Sequence, residues 1–102
     1  MYYITFFVPE THLEIVKNAL FEAGAGKYKN YDCCSFEVKG IGQFRPLQGS
    51  NPFIGQKDVI EKVIEYRVEM LCMDKYLKPV LKKLIEVHPY EEPAYFAVKV
   101  KI

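Results

Sequence analysis

The sequence predicts an α+β domain in which a four-stranded antiparallel sheet carries two helices on one face. Three observations lead there: two segments with helical apolar spacing, four with strand composition or alternation, and the order βαββαβ in which they follow one another. Half of the 102 residues are apolar, enough for one core over residues 1–102 without disulfides or structural metal.

Tyr2 to Val8 (YYITFFV) is rich in aromatic and β-branched residues and stops at Pro9, as a first strand should. Thr11 and Glu14 have capping-box spacing, and Leu13, Val16, Leu20 and Ala23 share one face of a helix that GAG at Gly24 to Gly26 ends. Tyr31 to Lys39 reads as a second strand. The next sixteen residues, GIGQFRPLQGSNPFIG from Gly40 to Gly55, are dense in glycine and proline and read as a shaped loop, of a length that suggests function in so small a domain. Val59 to Cys72 reads as a long strand with Ile64, Tyr66, Val68 and Met70 on one face and Glu65, Arg67 and Glu69 on the other. Asp74 is placed to cap a second helix through Leu77, Val80, Leu81, Leu84 and Ile85, with Pro79 acceptable only near its start. HPYEEP turns the chain into a last strand, Ala94 to Ile102, in which Phe96, Val98, Val100 and Ile102 alternate with Tyr95, Lys99 and Lys101. This is the ferredoxin-like order. Its helix-free sheet face would expose Tyr3, Phe7 and Tyr95 among charged residues, so a homo-oligomer that buries them is expected.

Composition narrows the partners. Fourteen basic and thirteen acidic residues leave a formal charge of +1, without the basic footprint of a nucleic-acid binder. No apolar run approaches the ~20 residues of a membrane span, and MYYITFFVPE lacks the basic start of a signal peptide, so a cytoplasmic, membrane-free protein is expected. Three cysteines, two of them adjacent, do not form a secreted disulfide framework and read as reduced thiols.

Two stretches carry chemistry. HPYEEPAY (His88 to Tyr95) offers imidazole and carboxylate donors for zinc, copper or nickel, to which a thiolate could add a soft donor. Its structural reading is a stop: His88 as a cation at the negative end of a helix, Pro89 ending that helix, and Pro93 setting the strand entry. On the predicted second strand Cys33 and Cys34 point to opposite faces, with Cys34 buried beside Phe36 and Val38, and Cys33 more available. Cys34 and Cys72 read as small buried hydrophobes. In the loop, Gly49 permits close backbone approach, Arg45 is able to grip a carboxylate or phosphate, and Ser50 and Asn51 favour turns; G-x-G at Gly40 to Gly42 is a weak signal and no P-loop is present. His12 reads as a surface helix residue, and no Ser-His-Asp, H-E-x-x-H or Cys-His spacing stands out.

NYDCCSFEVKGIGQFRPLQGSNPFIG (Asn30 to Gly55) together with VEMLCMDKYLKPVLKKLIEVHPYEEPAY (Val68 to Tyr95) resembles the PII-like, CutA-like domain inserted in many bacterial Nif-three-like proteins and found alone in YqfO-type standalone proteins. HPYE-x-P also resembles the corresponding turn of CutA divalent-cation-tolerance proteins. The resemblance implies a ferredoxin-like protomer whose sheet face is buried in a trimer, with sites at the clefts between subunits. The dinuclear metal centre of full-length relatives lies in a separate domain whose histidine and acidic ligands have no counterpart here, so the resemblance does not carry a hydrolase or cyclohydrolase activity to these residues. In many relatives a histidine or glutamine stands at the position of Cys33.

Different functions follow from these readings. One is a non-enzymatic oligomeric binding module that senses or buffers a transition metal, copper or zinc, with His88, Glu91, Cys34 and Cys33 as donors. Another is an accessory or regulatory domain associated with a Nif-three-like metal-dependent hydrolase, in which Arg45, Gly49, Ser50 and Asn51 hold an anionic small molecule or nucleotide and Glu91 or Glu92 supplies acid or base chemistry. A purely structural interaction module needs no ligand at all.

Overall fold

Alternate side chains of the first strand, β1 (Tyr2–Pro9), divide between two environments in the computed structural model, which describes residues 1–102. Ile4, Phe6 and Val8 face the helices and are wholly buried, whereas Tyr3 and Phe7 point the other way. Three further strands surround β1 or extend from it. β3 (Glu61–Cys72) runs antiparallel beside it, with Tyr2 opposite Cys72 and Pro9 opposite Glu65. β4 (Tyr95–Lys99) lies on its other side, and β2 (Phe36–Phe44) pairs with the outer edge of β3. The sheet order β2-β3-β1-β4, with α1 (Leu13–Ala23) and α2 (Leu77–Val87) packed on one face, is the expected ferredoxin-like α+β sandwich.

The core is the seam between β1, β3 and the helices: Ile4, Phe6, Val8, Val68 and Met70 meet Leu13, Val16, Leu20, Val80 and Leu84. Each such side chain contributes roughly 1.5–3 kcal/mol by leaving water. Cys72 joins this core as expected, and burial raises its thiol pKa. No helix is long and apolar enough to cross a membrane.

Neither expected helix cap forms. Both helices enter through a 3-10 turn, Glu10–His12 and Asp74–Tyr76, whose backbone bonds take up donors that a capping side chain would otherwise serve. The Thr11 hydroxyl lies 2.8 Å from His12 Nδ1 instead, and the Asp74 carboxylate accepts from Lys99 Nζ at 2.8 Å and from the amino terminus. Pro79 is the third residue of α2, where the N–H it lacks has no intrahelical acceptor. Gly24 ends α1 as expected, at a φ of 121° and so close to Tyr76 that a Cβ would lie 2.6 Å from its ring.

The second strand lies further along the chain than its composition suggests. It spans Phe36–Phe44, not Tyr31 to Lys39, so Gly40 to Phe44 belong to the ladder and the irregular loop is confined to residues 45–60. β3 begins at Glu61 instead of Val59, and β4 stops at Lys99. Glu61 to Ile64 run past the end of β1 and pair with β2 alone as a projecting hairpin, in a molecule that measures 47 × 24 × 23 Å.

The uncovered face also differs. Tyr95 sits opposite Phe6 and therefore on the helix side, while Phe96 opposite Thr5 and Val98 opposite Tyr3 lie on the open side. Phe36 and Val38, expected to be buried with Cys34, share that open face through their pairing with Glu69 and Arg67. Phe36 is 60% exposed, Phe96 51% and Val98 50%.

Candidate functional site

The projecting hairpin, the end of β1, the loop 45–60 and the turn after α2 converge at one end of the sheet. The loop is closed at its base, where Asp58 N–H donates to the Pro46 carbonyl at 2.7 Å, and tightened inside, where the Ser50 hydroxyl donates to the Leu47 carbonyl at 2.6 Å. Gly55 has a φ of 97°, and a Cβ there would lie 2.5 Å from Glu61 Cγ, so glycine alone suits this return.

His88 fastens the turn to the sheet. Its Nε2 lies 2.7 Å from the Phe7 carbonyl and its Nδ1 accepts the Tyr90 N–H at 3.1 Å, which together select the neutral ring protonated on Nε2. Phe7 N–H donates in turn to the Ala94 carbonyl at 3.1 Å. The expectation of a cation at a helix end is thus corrected. His88 is buried, and desolvation pushes its pKa below the ordinary histidine value despite the opposing bond to Phe7 and the nearby Glu65 charge.

Tyr90 then joins three segments. Its hydroxyl donates to the Glu65 carboxylate on β3 at 2.9 Å, and its ring packs at 6.0 Å from Phe44 and 6.4 Å from Phe53. Burial, reinforced by Glu65, drives the phenol pKa well above its ordinary value, so it remains a donor. One residue on, Glu91 accepts the Asn51 N–H at 2.9 Å and ties the turn to the loop.

These contacts frame a cavity of about 300 Å³. Phe7, Phe44, Phe53 and Tyr90 supply aromatic walls, Gln43 and Ser50 neutral polar groups, and Glu65, Glu91 and Glu92 negative charge. No lysine or arginine lines it, and none of the three glutamates takes part in a salt bridge.

The residues expected to hold a metal are not brought together. No three His, Cys, Asp or Glu side chains lie close enough to share an ion, and both His88 nitrogens are occupied by backbone groups. Cys33 and Cys34 precede β2 instead of lying on it, so the opposite-face argument lapses: Cys33 is exposed at a φ of 53°, and Cys34 is half-buried with Sγ 3.5 Å from the Asp32 carbonyl. The set does not fit a metal within one chain. Of the anion-binding candidates, Ser50 lines the cavity and Asn51 gives its N–H to Glu91, while Arg45 and Gly49 are exposed and form no part of the wall. A wall whose charges are all acidic is unsuited to an anion. Sequence reasoning missed Phe7, Phe44, Phe53, Glu65 and Tyr90 as a group. The one available signal was that both long motifs carry aromatics, because their union depends on the register that sets Gly42 beside Glu65.

No family model matches the chain. The GTP cyclohydrolase 1 type 2 homolog of Halalkalibacterium halodurans is 44% identical over 95 residues, covering 93% of this chain and 26% of that protein. The protein of the same name from Bacillus subtilis is 44% identical over 89 residues, 87% of this chain and 24% of its own. The chain therefore spans about a quarter of the length of the curated relatives it matches. Among solved structures, a Bacillus cereus protein related to NIF3 superposes with a TM-score of 0.79 at 38% identity, over 94% of this chain and 24% of that one. CutA from Xylella fastidiosa superposes with a TM-score of 0.69 at 21% identity, over 99% and 84% of the two chains, a likeness of fold.

Proposed function

This chain is a homologue of the CutA-like region of NIF3-related proteins, and from that we propose that it is a non-enzymatic binding module that self-associates and takes a small ligand into the cavity between the loop 45–60 and the His88–Pro93 turn. The observation that carries this reading is the meeting of the two longest motifs around one preformed cavity, fixed by the Asn51–Glu91 and His88–Phe7 bonds. Binding without chemistry is favoured because the site's hydroxyl and its neighbouring imidazole, the groups that would form a nucleophile and base pair, are already engaged. The Ser50 hydroxyl donates to Leu47, and the nearby imidazole of His88 has no free nitrogen to act as a base. The activity in the relatives' name is assigned, in this reading, to the parts of those proteins that this chain does not cover.

Self-association is supported by the open face, where Phe36, Val38, Phe96 and Val98 expose large apolar side chains on one side of the sheet. A trimer is the assembly proposed. Sedimentation should give a particle near three times 11.9 kDa, and a monomer at working concentration removes this half of the reading. Zinc and copper titrations test the rival occupant. Tight binding lost in a Cys33→Ser, Cys34→Ser double variant would move the ligand from the cavity to donors shared between copies; unchanged heats with either metal are expected.

A further inference from the structure

We infer that the cavity recognises a compact organic cation, an ammonium or quaternary ammonium group seated among Phe44, Phe53 and Tyr90 with its charge balanced by Glu65, Glu91 and Glu92. The inference rests on the binding-module reading and specifies its ligand. Three carboxylates surround walls made largely of aromatic rings, and no lysine or arginine lines the cavity or forms a salt bridge with them, so the charge of the lining itself is wholly negative. Aromatic faces attract weakly hydrated cations through the ring quadrupole, and acidic groups around such a cage add to that attraction.

Other ligand classes fit less well. An anion meets like charge. A transition metal needs several converging donors, and no three suitable side chains converge. Glu65 and Glu91 each accept one hydrogen bond, from Tyr90 and from the Asn51 N–H, which orients them while leaving lone pairs for a cation. A volume of about 300 Å³ sits at the small end of ligand pockets, which span roughly 300–1,000 Å³, and suits a headgroup more than a nucleotide. The cation could be free, or it could be the lysine side chain of a second copy; the chemistry is the same.

Calorimetry on the intact protein at neutral pH separates these cases, with choline chloride as probe and 3,3-dimethylbutan-1-ol as its neutral isostere. Choline should bind about tenfold more tightly than the alcohol. Glu92→Gln, a change at an exposed position, and Glu65→Gln, which keeps an acceptor for Tyr90, should each weaken choline several-fold and leave the alcohol unaffected. Binding by a Phe96→Asp monomer but not by the assembled protein would identify a second copy's lysine as the resident cation and uphold the inference. Equal binding of choline and the alcohol, or a preference for inorganic phosphate, would overturn the cation while leaving a binding module. Failure of every probe in both assembled and monomeric protein would remove the binding reading itself.

Discussion

The two faces of the sheet are made from alternate residues of the same strands, yet they differ in how they are finished. Phe6, Val68 and Met70 are sealed beneath the helices, whereas Phe36, Val38, Phe96 and Val98 lie on the open side with much of their surface in water. Alternation determines which side chains share a face, and the helices determine which face is covered. At the edge strand β4 the usual rule is inverted: its larger apolar residues point away from the helices, while Tyr95 and Lys99 share the helix side with Ala97. An inverted edge strand leaves apolar surface that the helices of the same chain do not cover.

The largest effect should come from a matched pair of truncations. Phe6→Ala opens a cavity in the sealed core and should cost about 3–5 kcal/mol, seen as a large drop in the urea midpoint. Phe96→Ala should change the stability of the isolated chain by no more than about 0.5 kcal/mol, as is usual at exposed positions. Its effect should appear in assembly: the wild-type midpoint should rise with protein concentration, and that dependence should weaken in the variant. Equal losses in the two variants, with no dependence on concentration, would erase the distinction between the faces.

His88 links the sealed core to the site end, so its loss should come next in size. His88→Ala removes the partner of the Phe7 carbonyl and of the Tyr90 N–H, at a cost of about 2 kcal/mol for two half-buried groups left unsatisfied. The folded-state pKa is depressed, so between that value and the ordinary 6.5 the unfolded chain binds a proton that the folded chain does not. The contribution of His88 is therefore complete above 6.5 and declines as pH falls toward the folded value. Urea midpoints at pH 5 and pH 7.5 should differ less in His88→Ala than in the wild type. An unchanged difference would show that another group is responsible.

Much of this fold was legible because it depends on local periodicity. The helical spacing from Leu13 to Ala23, the alternation from Ile64 to Met70 and the stop at Pro89 each depend on a few neighbouring residues. The second strand was less legible, since Gly40 and Gly42 look like loop residues and become strand only by pairing with Glu65 and Val63. The parity argument for Cys33 and Cys34 failed with it, because parity presupposes a strand. HPYEEP was correctly read as a turn, but the charge state of His88 was not, because desolvation arises from the tertiary packing around the helix end. The cavity was the least legible feature: Phe7, Phe44, Phe53, Glu65 and Tyr90 come from five separate segments and meet only once sheet register and loop path are set.

The smallest effect distinguishes two glycines on β2, Gly40 and Gly42, which both lie on the open face two residues apart. A Cβ at Gly40 meets nothing within 4 Å, so Gly40→Ala should stabilise by roughly 0.5–1 kcal/mol through the reduced backbone entropy of the unfolded chain. Gly42→Ala gains the same backbone contribution, but its methyl would fall 2.2 Å from a Glu65 carboxylate oxygen. That carboxylate is the flexible end of a side chain and will move, and in moving it gives up the Tyr90 hydroxyl. A hydrogen bond to a charged group contributes about 1.5–3 kcal/mol, with the lower end appropriate at a half-buried site, so the loss should exceed the gain by about 1 kcal/mol. The Tyr90 phenol should also titrate closer to the ordinary 10 in Gly42→Ala, a change that NMR would follow and that Gly40→Ala should not reproduce. If the two variants prove equally stable and Tyr90 titrates alike in both, the bond from Tyr90 to Glu65 does not hold the site wall.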